Sequence, residues 1–160
     1  MLRAILCVLI ATPMLFAQAG GAKSDAFRKE GPALQGAVDA AISEVPGISL
    51  LQTSKATYIQ EFGIVVTLEL ALETPRSPFN VDARPDRPAV VAERQQKVRD
   101  KMKQLLAQKA PGLRTAADDQ FVAIVVHIFN SNPVDRPNLP QQIIAMVKKS
   151  EPASVIFREL

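Results

Sequence analysis

Cysteine and histidine are almost absent from this 160-residue sequence, which has one of each, Cys7 and His127. A single cysteine forms no intrachain disulfide, so the hydrophobic core alone must hold the fold together. A single histidine excludes a multi-histidine metal site, and any metal would need carboxylate ligands. The adjacent acids Asp118 and Asp119 point to opposite sides of an extended segment. We therefore predict no metal and no cofactor.

Sequence motifs of nucleotide-binding proteins and hydrolases are also absent. There is no Gly-x-Gly-x-x-Gly segment, no Gly-x-x-x-x-Gly-Lys-Ser/Thr loop and no Gly-x-Ser-x-Gly elbow. No asparagine has serine or threonine two residues later, so the chain has no acceptor for N-glycosylation. This favours a bacterial protein over a eukaryotic secreted one.

What the sequence does contain is a segment typical of export. Arg3 is followed by an apolar stretch from Ala4 to Phe16, and then by Ala17-Gln18-Ala19. A positive start, an apolar run and small residues at the cleavage site predict a signal peptide over residues 1–19. The run is shorter than the ~20 residues needed to span a bilayer. We expect an exported protein, either periplasmic or secreted, that is cut after Ala19.

Cleavage changes the charge of the chain. It removes Cys7 and Arg3, so the 19 Lys and Arg residues become 18, against 16 Asp and Glu, and the net charge falls from +3 to +2. Export together with this small charge excludes nucleic acid as a partner.

The mature part is predicted to be one domain. Residues 20–31 contain little apolar content and are expected to form a flexible lead, which leaves residues 32–160 for the domain. Helices are predicted over Ala33–Glu44, Ala89–Lys109 and Leu139–Lys149. Strands are predicted over Ile64–Leu72, Phe121–Phe129 and Ala153–Leu160, and Lys55–Gln60 is a possible first arm of a hairpin that turns at Glu61-Phe62-Gly63.

This order of elements predicts an α/β or α+β fold. We expect three to four strands in a largely parallel or mixed sheet, with about three helices packed on it. Residues 75–88, rich in proline and arginine, do not resemble a core segment. Two interpretations stay open for them: a mobile surface loop, or a lid that orders on a ligand.

A candidate binding rim follows from topology. If Ile64–Leu72 and Phe121–Phe129 are parallel neighbours, a ligand would bind beyond their carboxyl ends. The polar residues that follow these strands are Thr74, Arg76, Ser77, Asn130, Ser131, Asn132 and Arg136. They would suit an anion or a polar small molecule. His127, just before the rim, is a weak catalytic candidate because a base also needs a nucleophile and an orienting carboxylate.

The second predicted helix has a basic face. Its basic residues are Arg94, Lys97, Arg99, Lys101 and Lys103. They indicate either a solvated face or contact with an anionic membrane surface or cell-envelope polymer.

Together these observations predict an exported, non-enzymatic domain that binds a partner protein or a small polar or anionic ligand. The alternative is a small hydrolase-like enzyme that uses His127 with a carboxylate or hydroxyl group from the rim.

Overall fold

A computed structural model describes residues 15–73, 86–130, 133–134 and 136–160, with side chains from Lys23 onward. The elements in chain order are α1 (Leu15–Ser43), β1 (Ser49–Ile59), β2 (Gly63–Ala71), α2 (Pro88–Lys109), a one-turn 3₁₀ helix (Ala110–Gly112), β3 (Phe121–Ile128), β4 (Gln142–Lys148) and β5 (Ile156–Glu159). No helix in these ranges is long and apolar enough to cross a membrane.

The five strands form one mixed sheet whose spatial order follows the chain, β1-β2-β3-β4-β5. Only β2 and β3 are parallel, and every other neighbouring pair is antiparallel. The parallel pair confirms the relationship from which the binding rim was predicted. The fold is therefore a small α+β domain with five strands and two α-helices, where three to four strands and about three helices were expected.

The predicted third helix is wrong, because residues 142–148 form β4. Ile143, Ala145 and Val147 are buried on one side of this strand, while Ile144 and Met146 are half-buried on the other. Apolar residues on both faces satisfied a helical pattern equally well in the sequence. Hydrogen bonding between strands decides between helix and strand here. A strand at residues 142–148 provides backbone hydrogen-bond partners for the edge of β3 that does not face β2.

The predicted flexible lead is helical in the structure, because residues 20–31 lie within α1. Phe27 packs beside Tyr58 with 6.3 Å between ring centroids, and Glu30 accepts three hydrogen bonds from residues 114–115. Of the predicted loop at 75–88, residues 75–85 lie outside the described part of the chain, and Pro88 already begins α2.

The predicted hairpin is confirmed as β1 and β2, although β1 is longer than expected. Gly63 begins β2 with φ of +124°, and a Cβ at this position would lie 2.0 Å from the main-chain oxygen of Phe121. Only glycine avoids both the strained backbone and this clash, so Gly63 lets β2 lie against β3.

Irregularities in β1 hold helix α1 on the sheet. The register of β1 shifts twice between Leu50 and Lys55, and Ser54 lies buried at this point. Asp39 accepts a hydrogen bond from the Ser54 main-chain nitrogen at 2.9 Å, and Gln35 donates to the Ser54 carbonyl at 3.1 Å. The helix therefore satisfies backbone groups that an edge strand would otherwise leave open to another chain.

Both helices contribute to a single core on one side of the sheet. The core cluster joins Leu34, Val38 and Ile42 of α1 and Val91, Val98, Met102, Leu105 and Leu106 of α2 to alternate residues of β2, β3 and β4. The opposite side of the sheet contributes no residue to this cluster.

Candidate functional site

The carboxyl ends of β2 and β3 lie side by side, as the predicted rim requires. Asn130 follows β3 and donates a hydrogen bond to the main-chain oxygen of Arg136 at 2.9 Å, so the structure brings these two predicted residues together. The other predicted rim residues, Thr74, Arg76, Ser77, Ser131 and Asn132, lie outside the described residues.

Arg136 is held by internal partners. Its Nε atom lies 2.7 Å from a carboxylate oxygen of Glu73, and both side chains are only 12% exposed. Its Nη2 atom donates to the main-chain oxygen of Asp86. These partners hold the Arg136 guanidinium inside the fold. Because the Glu73 carboxylate largely neutralises its charge, little of that charge is available to a ligand.

Arg94 has a similar role that the sequence did not reveal, since it was assigned to the basic face of α2. Its Nη1 atom donates to a carboxylate oxygen of Asp86 at 2.6 Å and to the main-chain oxygen of Leu72 at 2.7 Å. Gly47 leaves room for this guanidinium, because a Cβ there would lie 2.4 Å from Nη2. Arg94 and Arg136 thus tie residues 72–73 to Asp86.

The remaining basic residues of α2 are mostly paired as well. Lys97 lies 2.7 Å from Glu93 one turn away, and Arg99 lies 2.5 Å from Glu159 and stacks over Phe157. Lys101 pairs with Glu44. Four of the five predicted basic residues therefore have a carboxylate partner, which reduces the field that this helix can offer to an anionic surface.

A polar row crosses three strands at the carboxyl end of β3. Glu69 on β2, His127 on β3 and Gln142 on β4 are directly opposite one another in register. The Gln142 amide nitrogen lies 3.1 Å from Nδ1 of the exposed His127 ring. These three side chains line a shallow depression of about 460 Å³ that also includes Phe129, Asn130 and Leu139.

The depression has few groups that could act as a nucleophile. No serine, threonine, cysteine, tyrosine or lysine is among the described residues that line it. His127 has an amide as its hydrogen-bond partner, and Glu69 is the one carboxylate beside it. The arrangement can donate and accept hydrogen bonds, but it does not present the nucleophile that a histidine base would activate.

Beyond the polar row, the same side of the sheet becomes apolar. Two rows of side chains cross the five strands, and we call them the outer face: Thr57, Val65, Ala123, Met146 and Ile156, and then Lys55, Thr67, Val125, Ile144 and Arg158. Six of the ten are apolar and adjacent. None belongs to the core cluster, and Ile156 is 49% exposed, whereas the small Ala123 is only 2% exposed.

The outer face carries basic groups at both edges. Lys55 on β1 and Arg158 on β5 are both exposed, and they lie in the same row, on either side of Thr67, Val125 and Ile144. Neither forms an ion pair with another described residue. Charge at the margin of an apolar surface is typical of the rim of a protein interface.

A second polar cluster at the opposite end of the sheet is structural. Glu30 on α1 accepts hydrogen bonds from the main-chain nitrogens of Arg114 and Thr115 at 2.8 and 3.0 Å and from the Thr115 hydroxyl at 2.7 Å. Burial alone would raise the pKa of Glu30, but these hydrogen bonds outweigh it and hold the pKa below its ordinary value of 4.5. Thr115 is fully buried, so this contact fastens α1 to the turn after α2.

Metal binding has no support in the described ranges, where no three acidic or histidine side chains converge. No protein-family model, curated protein or solved structure matches this chain, so its chemistry has to be argued from its own residues.

Proposed function

We propose that this chain is an exported, non-catalytic domain that binds a protein partner across its outer face. The observation that carries the proposal is the apolar block Val65, Val125, Ile144 and Met146, half-buried around the buried Ala123, which lies on the sheet but outside the core cluster. A sheet in a two-layer domain normally buries one face and presents a polar one to solvent. Here the second face is apolar at its centre.

The size of the outer face suits a protein. Five strands at ~4.8 Å spacing and two rows of side chains ~6.6 Å apart give roughly 300 Å² of plan area. The largest apolar patches on monomeric proteins fall in this range and are often functional. A standard protein interface buries about 800 Å² per partner, so the outer face would form its apolar centre and the surrounding polar residues its rim.

The hydrolase alternative is less well supported. It would need a hydroxyl or carboxylate within hydrogen-bond reach of His127 in a concave site. The depression is shallow, His127 has its hydrogen bond with the Gln142 amide and not with Glu69, and the described lining contains no hydroxyl group. We assign the polar row to hydrogen bonding with the partner at one end of the outer face.

Export is part of the proposal, and it rests on Arg3, the apolar run from Ala4 to Phe16 and the site at Ala19. The described side-chain contacts of α1 begin at Lys23, which reaches the Tyr58 hydroxyl at 3.4 Å. Cleavage after Ala19 therefore removes none of them.

Photo-cross-linking in the producing cell tests the proposal. A photoreactive amino acid replaces Met146 on the outer face, and the matched control replaces the exposed Lys103 on α2. We expect a discrete adduct with another protein from position 146 only, because Met146 lies within the apolar block whereas Lys103 lies on a charged face of α2.

A second variant distinguishes specific docking from chance contact. Val125→Thr combined with Val65→Thr keeps β-branched shapes but adds two hydroxyls to the outer face. The adduct from position 146 should fall at least tenfold while the melting temperature stays close to that of the parent. Equal adducts from positions 146 and 103, or an adduct that this variant leaves unchanged, would refute the proposed surface.

A further inference from the structure

The charges on the outer face identify the kind of partner it fits. Lys55 and Arg158 mark the two edges of one row and form no ion pair with another described residue, whereas Lys148 on β4, near the end of the face, lies 3.9 Å from Glu151. Glu69 is the one carboxylate among the outward-facing residues of the described strands. The apolar block is therefore bordered mainly by positive charge.

A second copy of the chain is a poor occupant. Two sheets that pack face to face keep their strands roughly aligned, and a two-fold axis then superposes β1 on β5 or each strand on its own copy. The first arrangement places Lys55 opposite Arg158, and the second places each cation opposite itself. Both bring like charges together at the edges of an apolar contact, which is a device against self-association.

An anionic bilayer is also a weaker fit. Segments that bind anionic lipids usually contain four to eight clustered Lys and Arg residues. The outer face has two cations, one on each edge strand, and the neighbouring Lys148 lies 3.9 Å from Glu151. A β-sheet is also twisted, so its face does not lie evenly on a flat headgroup layer.

An α-helix matches the remaining features. A helix with side chains is ~10 Å across, and β1 and β5 each lie ~10 Å from β3, so a helix over Val125 would have cations on both flanks. Resting on the proposed function, we infer that the outer face docks an acidic amphipathic helix of another protein. Its apolar stripe covers Val65, Val125 and Ile144, and its carboxylates lie beside Lys55 and Arg158.

Two designed peptides test this inference on the exported protein as purified. Both are 18-residue amphipathic helices with the same leucine stripe, one flanked by glutamates and the other by lysines. We expect the glutamate peptide to bind about tenfold more tightly in fluorescence anisotropy, because two rim charge pairs of typical strength give a factor of this size. Raising the salt concentration should reduce the difference.

Charge reversal provides the sharpest comparison. Lys55→Glu with Arg158→Glu should reverse the preference, so that the lysine peptide binds more tightly. The matched control, Lys29→Glu with Lys103→Glu, makes the same change in net charge on exposed helix positions and should leave the preference as it was. A reversal in the control as well would mean that net charge alone selects the peptide, and it would overturn the inference.

The remaining outcomes separate the inference from the proposed function. If both peptides bind equally and Val125→Thr with Val65→Thr abolishes binding, the docking surface stands but the acidic partner is wrong. If neither peptide binds, the inference is overturned, and sedimentation and vesicle flotation show what takes its place. Concentration-dependent dimers would assign the face to a second copy, and flotation with phosphatidylglycerol vesicles would assign it to a membrane.

Discussion

Arg136 lies 2.7 Å from Glu73 in an ion pair whose two side chains are each only 12% exposed. The same guanidinium donates to the main-chain oxygen of Asp86, at the start of the segment that leads into α2. One side chain from the β3–β4 connection thus joins the end of β2 to the beginning of α2. We expect this pair to contribute to stability and not to ligand binding.

Arg136→Ala should lower the free energy of unfolding by about 3 kcal/mol, because it leaves the Glu73 carboxylate largely buried without its partner. Urea unfolding measures the change. Arg136→Leu with Glu73→Leu should recover most of the loss, since replacing both members removes the unpaired charge. The exposed Arg158→Ala is the control and should change stability by less than about 0.5 kcal/mol. Equal losses in Arg136→Ala and the double variant would contradict this account.

Gly63→Ala and Gly36→Ala should have opposite effects. The first places a Cβ 2.0 Å from the Phe121 oxygen at a φ of +124°, and it should cost more than about 2 kcal/mol or prevent folding. Gly36 lies within α1, and a Cβ added there would meet nothing within 4 Å, so Gly36→Ala should stabilise the protein by about 0.5–1 kcal/mol. Thermal melting of both variants checks the pair. A neutral Gly63→Ala would show that β2 and β3 do not approach as described.

Val125→Thr and Val126→Thr test which side of the sheet is the core. These neighbours on β3 point to opposite faces, and Val126 is fully buried whereas Val125 is half-buried on the outer face. A buried hydroxyl without a partner costs about 1–3 kcal/mol, so Val126→Thr should be destabilising by that amount. Val125→Thr should cost less than about 1 kcal/mol. Similar losses in urea unfolding would mean that both faces are covered.

The stability of the contact between α1 and the turn after α2 should depend on pH. The pKa of Glu30 is lowered in the folded state, so between its folded and unfolded values the unfolded chain binds more protons. The stabilisation from Glu30 is present above the ordinary value of 4.5 and is lost as the pH falls through the folded value. The stability difference between the parent and Glu30→Gln should therefore be constant from about pH 5.5 to 7 and shrink in acid. A stability difference between the parent and Glu30→Gln that grows below about pH 4.5 would contradict this role of Glu30.

The exported protein should begin at Gly20. Intact-mass measurement and N-terminal sequencing of protein from the cell exterior or periplasm would identify the cut after Ala19. Ala17→Asp with Ala19→Arg replaces both small residues of the cleavage site and should accumulate the precursor. Recovery of the protein with residues 1–19 still attached would contradict the prediction.

The hydrophobic pattern of the sequence was enough to predict the elements that have one apolar face and one more polar face. Ile64, Val66, Leu68 and Leu70 alternate with more polar residues, and the strand they predicted is β2. Val98, Met102 and Leu105 recur at helical spacing, and the predicted helix is α2. Pattern failed for residues 142–148, where both faces are apolar and the same letters fit a helix or a strand.

The sequence likewise predicted only part of the candidate site. Sequence order placed the ends of β2 and β3 together and drew attention to His127, Asn130 and Arg136. It could not show that Arg136 and Arg94 have internal partners, since these ion pairs join residues 63 and 8 positions apart. Nor could it show the outer face, which depends on five strands being in register.

By itself the sequence determined the local features of this protein: the alternation that makes β2, the amphipathic period of α2 and the glycine that starts β2 at Gly63. Only the tertiary structure decided that residues 142–148 pair with β3, that α1 includes residues 20–31, and that one face of the sheet remains outside the core. The physical reason is that periodicity is set by neighbours along the chain, whereas pairing and coverage are set by segments that meet only after folding.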